Sequence, residues 1–304
     1  MLDVTITRLS IVAIINPVSG AGADPAAAAK RAALVESEAR RRGLKAQIHF
    51  TERAGHAREL AQASAQADAG LVIVWGGDGT LNETGAGLIG STTALGLVPA
   101  GSGNGLANAL GTPRDPVAAL AVAFDGGVRT IDAGTIAGRA FFNVAGIGFD
   151  ARVARLFNER GAGRRGGWPY VMLGIREGCR YRGAEYTVEL DGDRRTLRAL
   201  LIAFANGREF GNGVRIAPQA QLDDGVLDAT VVEQRPLLAR FWHARHVAFG
   251  AVHLAPNVTI RQIRHAVVRS PEPMEYHVDG EPGIIEGPVE VRILPGALRV
   301  KTRA

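Results

Sequence analysis

Over the first 110 residues, short apolar runs alternate with alanine-rich helical stretches, and this alternation constrains the fold more than any other feature. The run at 71–75 is apolar throughout, as expected for a strand that is covered on both faces. A β-α-β-α order predicts an open parallel sheet with right-handed crossovers, on which ligands bind beyond the carboxyl ends of the strands. The predicted strands are 11–15, 46–51, 71–75 and 94–98, and the predicted helices are 25–42, 55–67 and 80–88.

The pattern changes near Val128, where short runs separated by tight turns replace the helical stretches. The dipeptides Asp191-Gly192, Asp224-Gly225 and Asp279-Gly280 are typical hairpin turns. We therefore predict an α/β nucleotide-binding domain at 1–130 and a mostly antiparallel β-sandwich or open barrel at 131–285, with residues from about 286 to 304 returning to the first domain. The predicted strands are 128–136, 140–145, 184–190, 196–205, 227–232, 258–263, 266–269 and 289–294, and two helical stretches are predicted at 168–180 and 236–246.

The composition fits a cytoplasmic enzyme of two domains. The chain has 304 residues, and the 46% that are hydrophobic suffice for two cores of ordinary size. A single cysteine, Cys179, excludes an internal disulfide and fits a reducing compartment. The apolar run at 9–15 is far shorter than the roughly 20 residues of a membrane span, and the amino terminus lacks the pattern of a secretory signal.

A formal net charge of +5 fits attraction to anionic partners and equally fits a soluble enzyme from an arginine-rich proteome. The segment 152–181 combines arginines with tryptophan, tyrosine and leucine, a pattern that suits peripheral docking on an anionic membrane surface and equally suits a core helix with one charged face. The sequence contains no zinc-finger spacing, heptad pattern or aromatic RNA-binding signature, so we expect no nucleic-acid partner. A homodimer is left open.

The strongest functional signal is the loop Gly76-Gly77-Asp78-Gly79-Thr80, which follows a predicted strand and opens a helix. Glycines let the backbone approach a ligand closely, and the N–H groups at a helix N-terminus bind phosphate oxygens. Asp78 could hold a Mg²⁺ ion that bridges those oxygens. Taken alone, the same five residues also describe an ordinary turn with a helix cap.

Two further glycine-rich loops, 16–22 and 99–107, follow the first and fourth predicted strands. Because parallel strands end at a common edge, we expect the three loops to lie close together. None of them matches the Walker A pattern, which ends in glycine, lysine and serine or threonine. Three such loops at one edge favour a nucleotide site over three unrelated turns.

Eight ordered motifs resemble the diacylglycerol kinase and sphingosine kinase superfamily, including its bacterial soluble lipid kinases. In the first half these are NPVSG at 16–20, TERAGHARELA at 51–61, GGDGTLNE at 76–83 and PAGSGNGLANAL at 99–110. In the second half they are NVAGIGFDA at 143–151, NGREFGNG at 206–213, APQAQLDDGVLD at 217–228 and HVDGEP at 277–282. The resemblance covers nearly the whole chain.

The resemblance implies a role for individual residues. Asp78 would organise Mg²⁺ or polarise the acceptor, and Glu281 would be the general base on the lipid hydroxyl. Asp224 would support a structural Mg²⁺, and Glu83 would orient the second glycine loop or contact the ribose. The residues implied in ATP binding are Asn16, Thr51, Gly76, Gly77, Asp78, Gly79, Thr80, Glu83, Gly101, Ser102, Gly103 and Asn104.

One feature departs from this assignment. Many diacylglycerol kinases have an acidic residue directly after the asparagine of the third loop, whereas this chain has Gly105, which is closer to the sphingosine kinase form of the loop. In addition, the segment 146–151 fits the dinucleotide pattern G-x-G-x-x-A, but no second parallel strand follows it promptly, so we expect a tight turn there rather than nicotinamide binding. His243 and His246 are more typical of packed or exposed residues than of a metal site.

The function that the sequence predicts is phosphorylation of a lipid hydroxyl by Mg·ATP, in phospholipid metabolism. The acceptor would be diacylglycerol or a lipid that resembles a sphingoid base. One alternative is a phosphotransferase related to NAD kinase, which shares the GGDGT loop. Another is a catalytically silent protein that binds lipid or nucleotide, although the presence of Asp78, Asp224 and Glu281 favours an enzyme.

Overall fold

The chain divides into two compact units. The first consists of residues 1–101, 110–130 and 298–304, and the second of residues 102–109 and 131–297. The domain boundaries predicted from the sequence, 1–130 and 131–285, stay a prediction. The computed structural model describes residues 10–20, 25–159, 181–210, 214–234 and 254–303.

The first unit contains a parallel sheet. Its strand order is β2-β1-β3-β4, and the end of β15 adds to β4 in parallel through Arg299. Every residue of β1, β3 and β4 is buried, which explains their continuous apolar sequence. The strands are β1 (Ile11–Ile15), β2 (Ala46–Phe50), β3 (Leu71–Gly76), β4 (Ala94–Pro99) and β15 (Val289–Thr302), and the helices are α1 (Pro25–Arg41), α2 (His56–Gln66), α3 (Asp78–Leu88) and α5 (Pro116–Asp125).

Helix α5 was not predicted, although its start carries clear signals. Asp115 is the N-cap, and its carboxylate accepts a hydrogen bond of 2.9 Å from the N–H of Ala118. Pro116 follows at the first helical position. The helix packs closely on β4, because a Cβ atom on Gly96 would lie 2.6 Å from the Cβ of Ala123.

The second unit is mostly antiparallel, as predicted. Its main sheet has the order β14-β13-β7-β9-β8-β12-β15, with β10 paired to β9 and β11, and β5 paired to β6. A large apolar cluster fills it, with Phe141, Phe204 and Val278 fully buried. Its strands are β5 (Gly127–Ile136), β6 (Arg139–Phe141), β7 (Val144–Gly148), β8 (Ala184–Leu190), β9 (Asp193–Ala205), β10 (Leu227–Glu233), β11 (Val258–Ile263), β12 (His265–Arg269), β13 (Met274–Val278) and β14 (Glu281–Ile285), and its helices are α4 (Gly105–Ala109) and α6 (Phe149–Glu159).

Two predictions of local structure need correction, and two predicted helices lie outside the described residues. The strand predicted at 140–145 is wrong, since the ladder is interrupted between β6 and β7. Asp224-Gly225 is a turn that leads into β10 rather than a hairpin, whereas Asp191-Gly192 and Asp279-Gly280 do join paired strands. The helices predicted at 168–180 and 236–246, with His243 and His246, lie outside the described residues.

Candidate active site

The first glycine loop, after β1, is fixed to the second at the start of α3. The Asn16 side-chain Nδ2 donates to Thr80 Oγ1 at 2.8 Å, and the Asn16 backbone N–H donates to the carbonyl of Trp75 at 2.9 Å. The Asn16 side-chain oxygen also accepts from the N–H of Val18 at 3.0 Å, which closes a local turn. Asn16 therefore shapes its own loop and holds it against the GGDGT loop.

The third loop, after β4, lies against both of the others within the first unit. The N–H of Ala100 donates to the carbonyl of Gly76 at 2.8 Å. A Cβ atom on Gly77 would lie 3.4 Å from the Cα of Gly101, and one on Gly20 would lie 3.4 Å from the carbonyl oxygen of Ala100. These distances show that the three loop backbones lie close to one another, as the parallel topology predicts.

Asp78 is the first residue of α3 and is partly exposed. The preceding Gly77 has an extended backbone and is the N-cap, but no side chain caps this helix start. The first N–H groups of a helix have no partner within the helix, so this end favours an anionic ligand. The Asp78 carboxylate thus lies at a helix start that favours anions, a position suited to a cation that bridges it to an anionic ligand.

Glu83, on α3, contacts the loop that follows β2. Its Oε1 accepts a hydrogen bond of 2.7 Å from the backbone N–H of Gly55, which has a left-handed backbone with a φ of 81°. Thr51 starts the same loop, and its N–H donates to the carbonyl of Ile15 at 3.0 Å. The bond of Glu83 thus goes to the loop after β2, whereas the expected roles were to orient the second glycine loop or to contact the ribose, and both of these stay predictions.

Sequence reasoning missed Arg31, which lies on α1 and outside every motif. Its guanidinium donates to the carbonyl of Asn16 at 2.8 Å, to Ser19 Oγ at 2.9 Å and to the Ser19 carbonyl at 2.7 Å. It also lies 5.8 Å from the ring centre of Trp75. Burial lowers the pKa of Arg31 from its usual value. The Arg31 guanidinium therefore stabilises the first glycine loop through these three hydrogen bonds.

In the second unit, the rest of the third loop forms the start of the short helix α4. Asn104 is buried, with a left-handed φ of 53°, a conformation that asparagine tolerates better than most residues. The carbonyl of Gly103 accepts a hydrogen bond of 2.9 Å from Asn108 Nδ2. Ser102 is exposed.

Glu281 is exposed and begins β14, directly after the turn of the hairpin formed with β13. Both turn residues have left-handed φ values, 47° for Asp279 and 89° for Gly280, as in a two-residue type I′ turn. The Asp279 carboxylate accepts three backbone hydrogen bonds of 3.0 Å, from the N–H groups of residues 142–144. These bonds draw the backbone out of the ladder, which explains why the predicted strand at 140–145 breaks.

A buried pair lies next to this turn. His277 Nε2 is 3.2 Å from Asp150 Oδ2, and both side chains are almost fully buried. His277 Nδ1 accepts from the N–H of Gly280 at 3.3 Å, so the hydrogen-bond network assigns the proton to Nε2. A Cβ atom on Gly146 would lie 1.8 Å from Asp150 Oδ2. Gly146 therefore makes room for this pair, and its strand β7 has antiparallel neighbours, which excludes a dinucleotide-binding β-α-β unit at 146–151.

Asp224 is an exposed residue of the turn before β10, and its Oδ1 accepts from the N–H of Val226 at 3.2 Å. Asp228 nearby is buried, and burial together with the charge of Asp224 raises the pKa of its carboxyl to about 6. The described residues contain no cluster of three or more histidine, cysteine, aspartate or glutamate side chains that could hold a metal ion. One or two carboxylates with water ligands nevertheless suit Mg²⁺, so the oxygen donors of Asp224 and Asp228 fit that ion chemically.

The predicted membrane-docking segment, 152–181, is described only in part. Its first residues belong to α6, where Arg155 forms ion pairs with Glu159 at 2.7 Å and with Glu275 at 3.0 Å. Residues 160–180 lie outside the described part of the chain. Among the helices that the structure describes, none is long and apolar enough to cross a membrane.

Two family models match the chain in succession. Residues 10–136 match the "Diacylglycerol kinase catalytic domain", and residues 143–302 match the "YegS C-terminal NAD kinase beta sandwich-like domain". The curated relatives include a diacylglycerol kinase of Mycobacterium tuberculosis, 31% identical over 95% of this chain and 94% of its own length. They also include a "Probable lipid kinase YegS-like" protein of Chromohalobacter salexigens, 30% identical over 83% of this chain and 82% of its own length.

Solved structures agree in fold. A diacylglycerol kinase from Bacillus anthracis superposes with a TM-score of 0.71 at 19% identity, covering 97% of both chains. An NAD kinase from Archaeoglobus fulgidus in complex with ATP superposes more distantly, with a TM-score of 0.55 at 10% identity over 96% of this chain and 93% of its own. Both family models and the curated relatives point the same way: the chain is a phosphotransferase that belongs to the lipid kinase family of the diacylglycerol kinases and the YegS-like proteins.

Proposed function

We propose that this protein transfers the γ-phosphate of Mg·ATP to a hydroxyl group of a membrane lipid, at a cytoplasmic membrane surface. The observation that carries the proposal is the convergence of the three glycine loops in the first unit. Asn16 and Ala100 each donate a hydrogen bond from their own loop to the second glycine loop. Backbone N–H groups gathered in this way suit a triphosphate, because catalysis of phosphoryl transfer rests mainly on positioning and charge stabilisation.

Each acidic residue then has a separate task. Asp78, at the start of α3, would hold Mg²⁺ near the phosphates, and Asp224 would hold a second ion that stabilises the turn before β10. When bound, Mg²⁺ neutralises phosphate charge. Glu281 is an exposed carboxylate on the hairpin of β13 and β14 and would accept the proton of the attacking hydroxyl. Glu83 would keep the loop at Gly55 in place for the nucleotide.

The decisive experiment offers labelled ATP and Mg²⁺ with mixed micelles that contain diacylglycerol, monoacylglycerol, a sphingoid base and phosphatidylglycerol together. We expect one labelled lipid product, and we expect Asp78→Ala to lower its rate by about 10²- to 10³-fold. Asp115→Ala is the matched control, since it removes a carboxylate from another helix start of the first unit. Transfer that survives Asp78→Ala would remove this residue from the mechanism.

A second candidate function is phosphorylation of NAD. The observations that favour it are the fold shared with an NAD kinase and the description of the second matched family model. A parallel assay with NAD as the sole acceptor separates the two activities, because a lipid kinase gives no labelled NADP. Binding of Mg·ATP without turnover over the lipids and NAD would instead support a silent binding protein.

A further inference from the structure

Asn143 is a buried amide at which separate segments of the second unit meet. Its backbone N–H donates to Asp279 Oδ1 at 3.0 Å. Its carbonyl accepts from two N–H groups of the segment 206–209, at 2.8 and 2.9 Å, and its side-chain Nδ2 donates to the carbonyl of Glu209 at 2.8 Å. One residue thus ties the turn that precedes Glu281 to the segment 206–209.

Two glycines make room for the Asn143 side chain. A Cβ atom on Gly105 would lie 2.5 Å from Asn143 Nδ2, and one on Gly207 would lie 2.1 Å from Asn143 Oδ1; real Cβ atoms do not approach other atoms below 3.0 Å. The Asn143 side chain is only 4% exposed and is anchored at Nδ2, so it cannot swing aside. Gly105 does not have a left-handed backbone, so space, and not conformation, requires a glycine there.

The same geometry explains why position 105 of the third glycine loop is a glycine and not an acidic residue. An acidic side chain after Asn104 would occupy the volume that the Asn143 amide fills. The Asn143 side chain therefore lies beside Gly105, which follows the proposed ATP ligand Asn104. The Asn143 backbone N–H binds Asp279, in the turn before the proposed base Glu281.

We propose that Asn143 is a positioning residue for the kinase reaction, which holds the third glycine loop and the turn before Glu281 in one frame, and that Gly105 is the position adapted to it. This inference rests on the proposed function. Any side chain at 105 must displace either the backbone beside Asn104 or the Asn143 amide. Removing the Asn143 side chain gives that space back.

The test is a double-mutant cycle with Gly105→Ala and Asn143→Ala. We expect Gly105→Ala to raise the KM for ATP by about tenfold, because a displacement of even about 1 Å at a binding residue has large kinetic effects. The KM for the lipid should stay within about twofold of the wild-type value, since Glu281 and its turn keep their place. Asn143→Ala alone should also raise the KM for ATP, because it removes the side-chain bond to the Glu209 carbonyl. The double variant should bind ATP better than the product of the two single losses predicts, which is a coupling that independent sites do not show. Gly127→Ala is the control, because a Cβ atom there meets nothing within 4 Å.

Several results would overturn the inference. Gly105→Ala with wild-type kinetics would remove the steric argument, and losses that multiply in the double variant would show that the two positions act independently. A purely structural defect would lower kcat through a smaller folded fraction and leave both KM values unchanged. If Gly105→Ala unfolds, thermal unfolding of the double variant decides: a restored Tm supports the pairing, and an equally unfolded double variant contradicts it.

The outcome is separable from that of the proposed function. If the wild-type protein phosphorylates no lipid, lipid kinase activity fails as the proposal. The same four proteins can still be compared by calorimetric titration with Mg·ATP. An ATP affinity of the double variant above that predicted by the product of the two single losses then supports the pairing of positions 105 and 143, and losses that multiply oppose it.

Discussion

The two units place candidate site residues by different means. In the first unit, the residues follow parallel strands, and hydrogen bonds such as that between Asn16 and Thr80 join one loop to the next. In the second unit, Glu281 owes its place to Asp279, whose carboxylate binds backbone N–H groups more than 130 residues earlier in the chain. The first arrangement follows from topology, because parallel strands end at one edge. The second depends on one partly buried carboxylate, that of Asp279.

This difference implies different sensitivities to mutation. A loop in the first unit is held by several bonds of modest strength, including those from Arg31 to the loop at Asn16 and from Glu83 to Gly55. In the second unit, removal of one side chain leaves several buried backbone groups without partners at once, and each such group costs free energy. We therefore expect single substitutions to be more damaging in the second unit.

The largest effect should come from the proposed base. Glu281→Gln keeps the size of the side chain and removes its ability to accept a proton, so we expect kcat to fall by about 10²- to 10⁴-fold while the KM for ATP changes little. Glu286→Gln is the matched control, since it neutralises another exposed glutamate close to the end of the same hairpin. Steady-state kinetics with ATP and the lipid product decide. A Glu281→Gln enzyme with wild-type kcat would leave the second unit without a chemical role.

The anchor of the turn is the next test. Asp279→Ala removes the acceptor of three backbone N–H groups and places alanine at a φ of 47°, so we expect the free energy of unfolding to fall by about 3–5 kcal/mol. Asp115→Ala, the same chemical change in the first unit, removes one bond at a helix cap and should cost about 1 kcal/mol. Urea unfolding of both variants gives the comparison. Equal losses would show that the two units are held in the same way.

The part of the site that could be predicted from the sequence is the part that topology places. The strand 11–15 ends just before Asn16, and the GGDGT loop begins at the end of β3. Apolar runs and glycines are local signals, and once the strands are parallel the loops after them must meet. Local patterns were therefore sufficient for the three loops of the first unit.

The rest could not be read from local patterns. Arg31 lies in the middle of a helix with no motif around it, and its contacts with the first loop follow from how α1 packs. Asn143 and Asp279 are 136 residues apart, so no spacing rule relates them. The reason for Gly105 is a steric contact with Asn143, which only the folded backbone reveals.

A pH experiment probes the second unit without touching the proposed base. Asp228 has an ordinary pKa of 3.8, and burial with the neighbouring charge of Asp224 raises it to about 6. Between these values the folded protein holds a proton that the unfolded chain releases, so stability falls as the pH rises through this window and stays lower above it. In buffer without divalent cations, Asp228→Asn should therefore raise the free energy of unfolding at pH 7 by on the order of 2–3 kcal/mol and have little effect below about pH 4. Asp223→Asn, on an exposed neighbour, is the control, and equal stabilisation of Asp228→Asn at both pH values would contradict the assignment.

The smallest expected effect concerns Glu83, which was predicted to orient the second glycine loop or to contact the ribose, and whose observed bond goes to the loop after β2 instead. The structure shows it as the acceptor of the Gly55 N–H at 2.7 Å, so Glu83→Ala should weaken the loop after β2 and cost about 1 kcal/mol in ATP affinity, a change of roughly fivefold in KM. A carboxylate that only orients the loop affects ATP and deoxy-ATP equally, because the lost bond lies within the protein. A carboxylate that binds the ribose loses its partner when the sugar hydroxyl is absent, so the effect of Glu83→Ala should vanish with 2′- or 3′-deoxy-ATP. Measured KM values for the three nucleotides distinguish the roles, and we expect the same ratio of variant to wild type for each. If the ratio of variant to wild-type KM falls to one with either deoxy nucleotide, Glu83 contacts the ribose and does not only orient a loop.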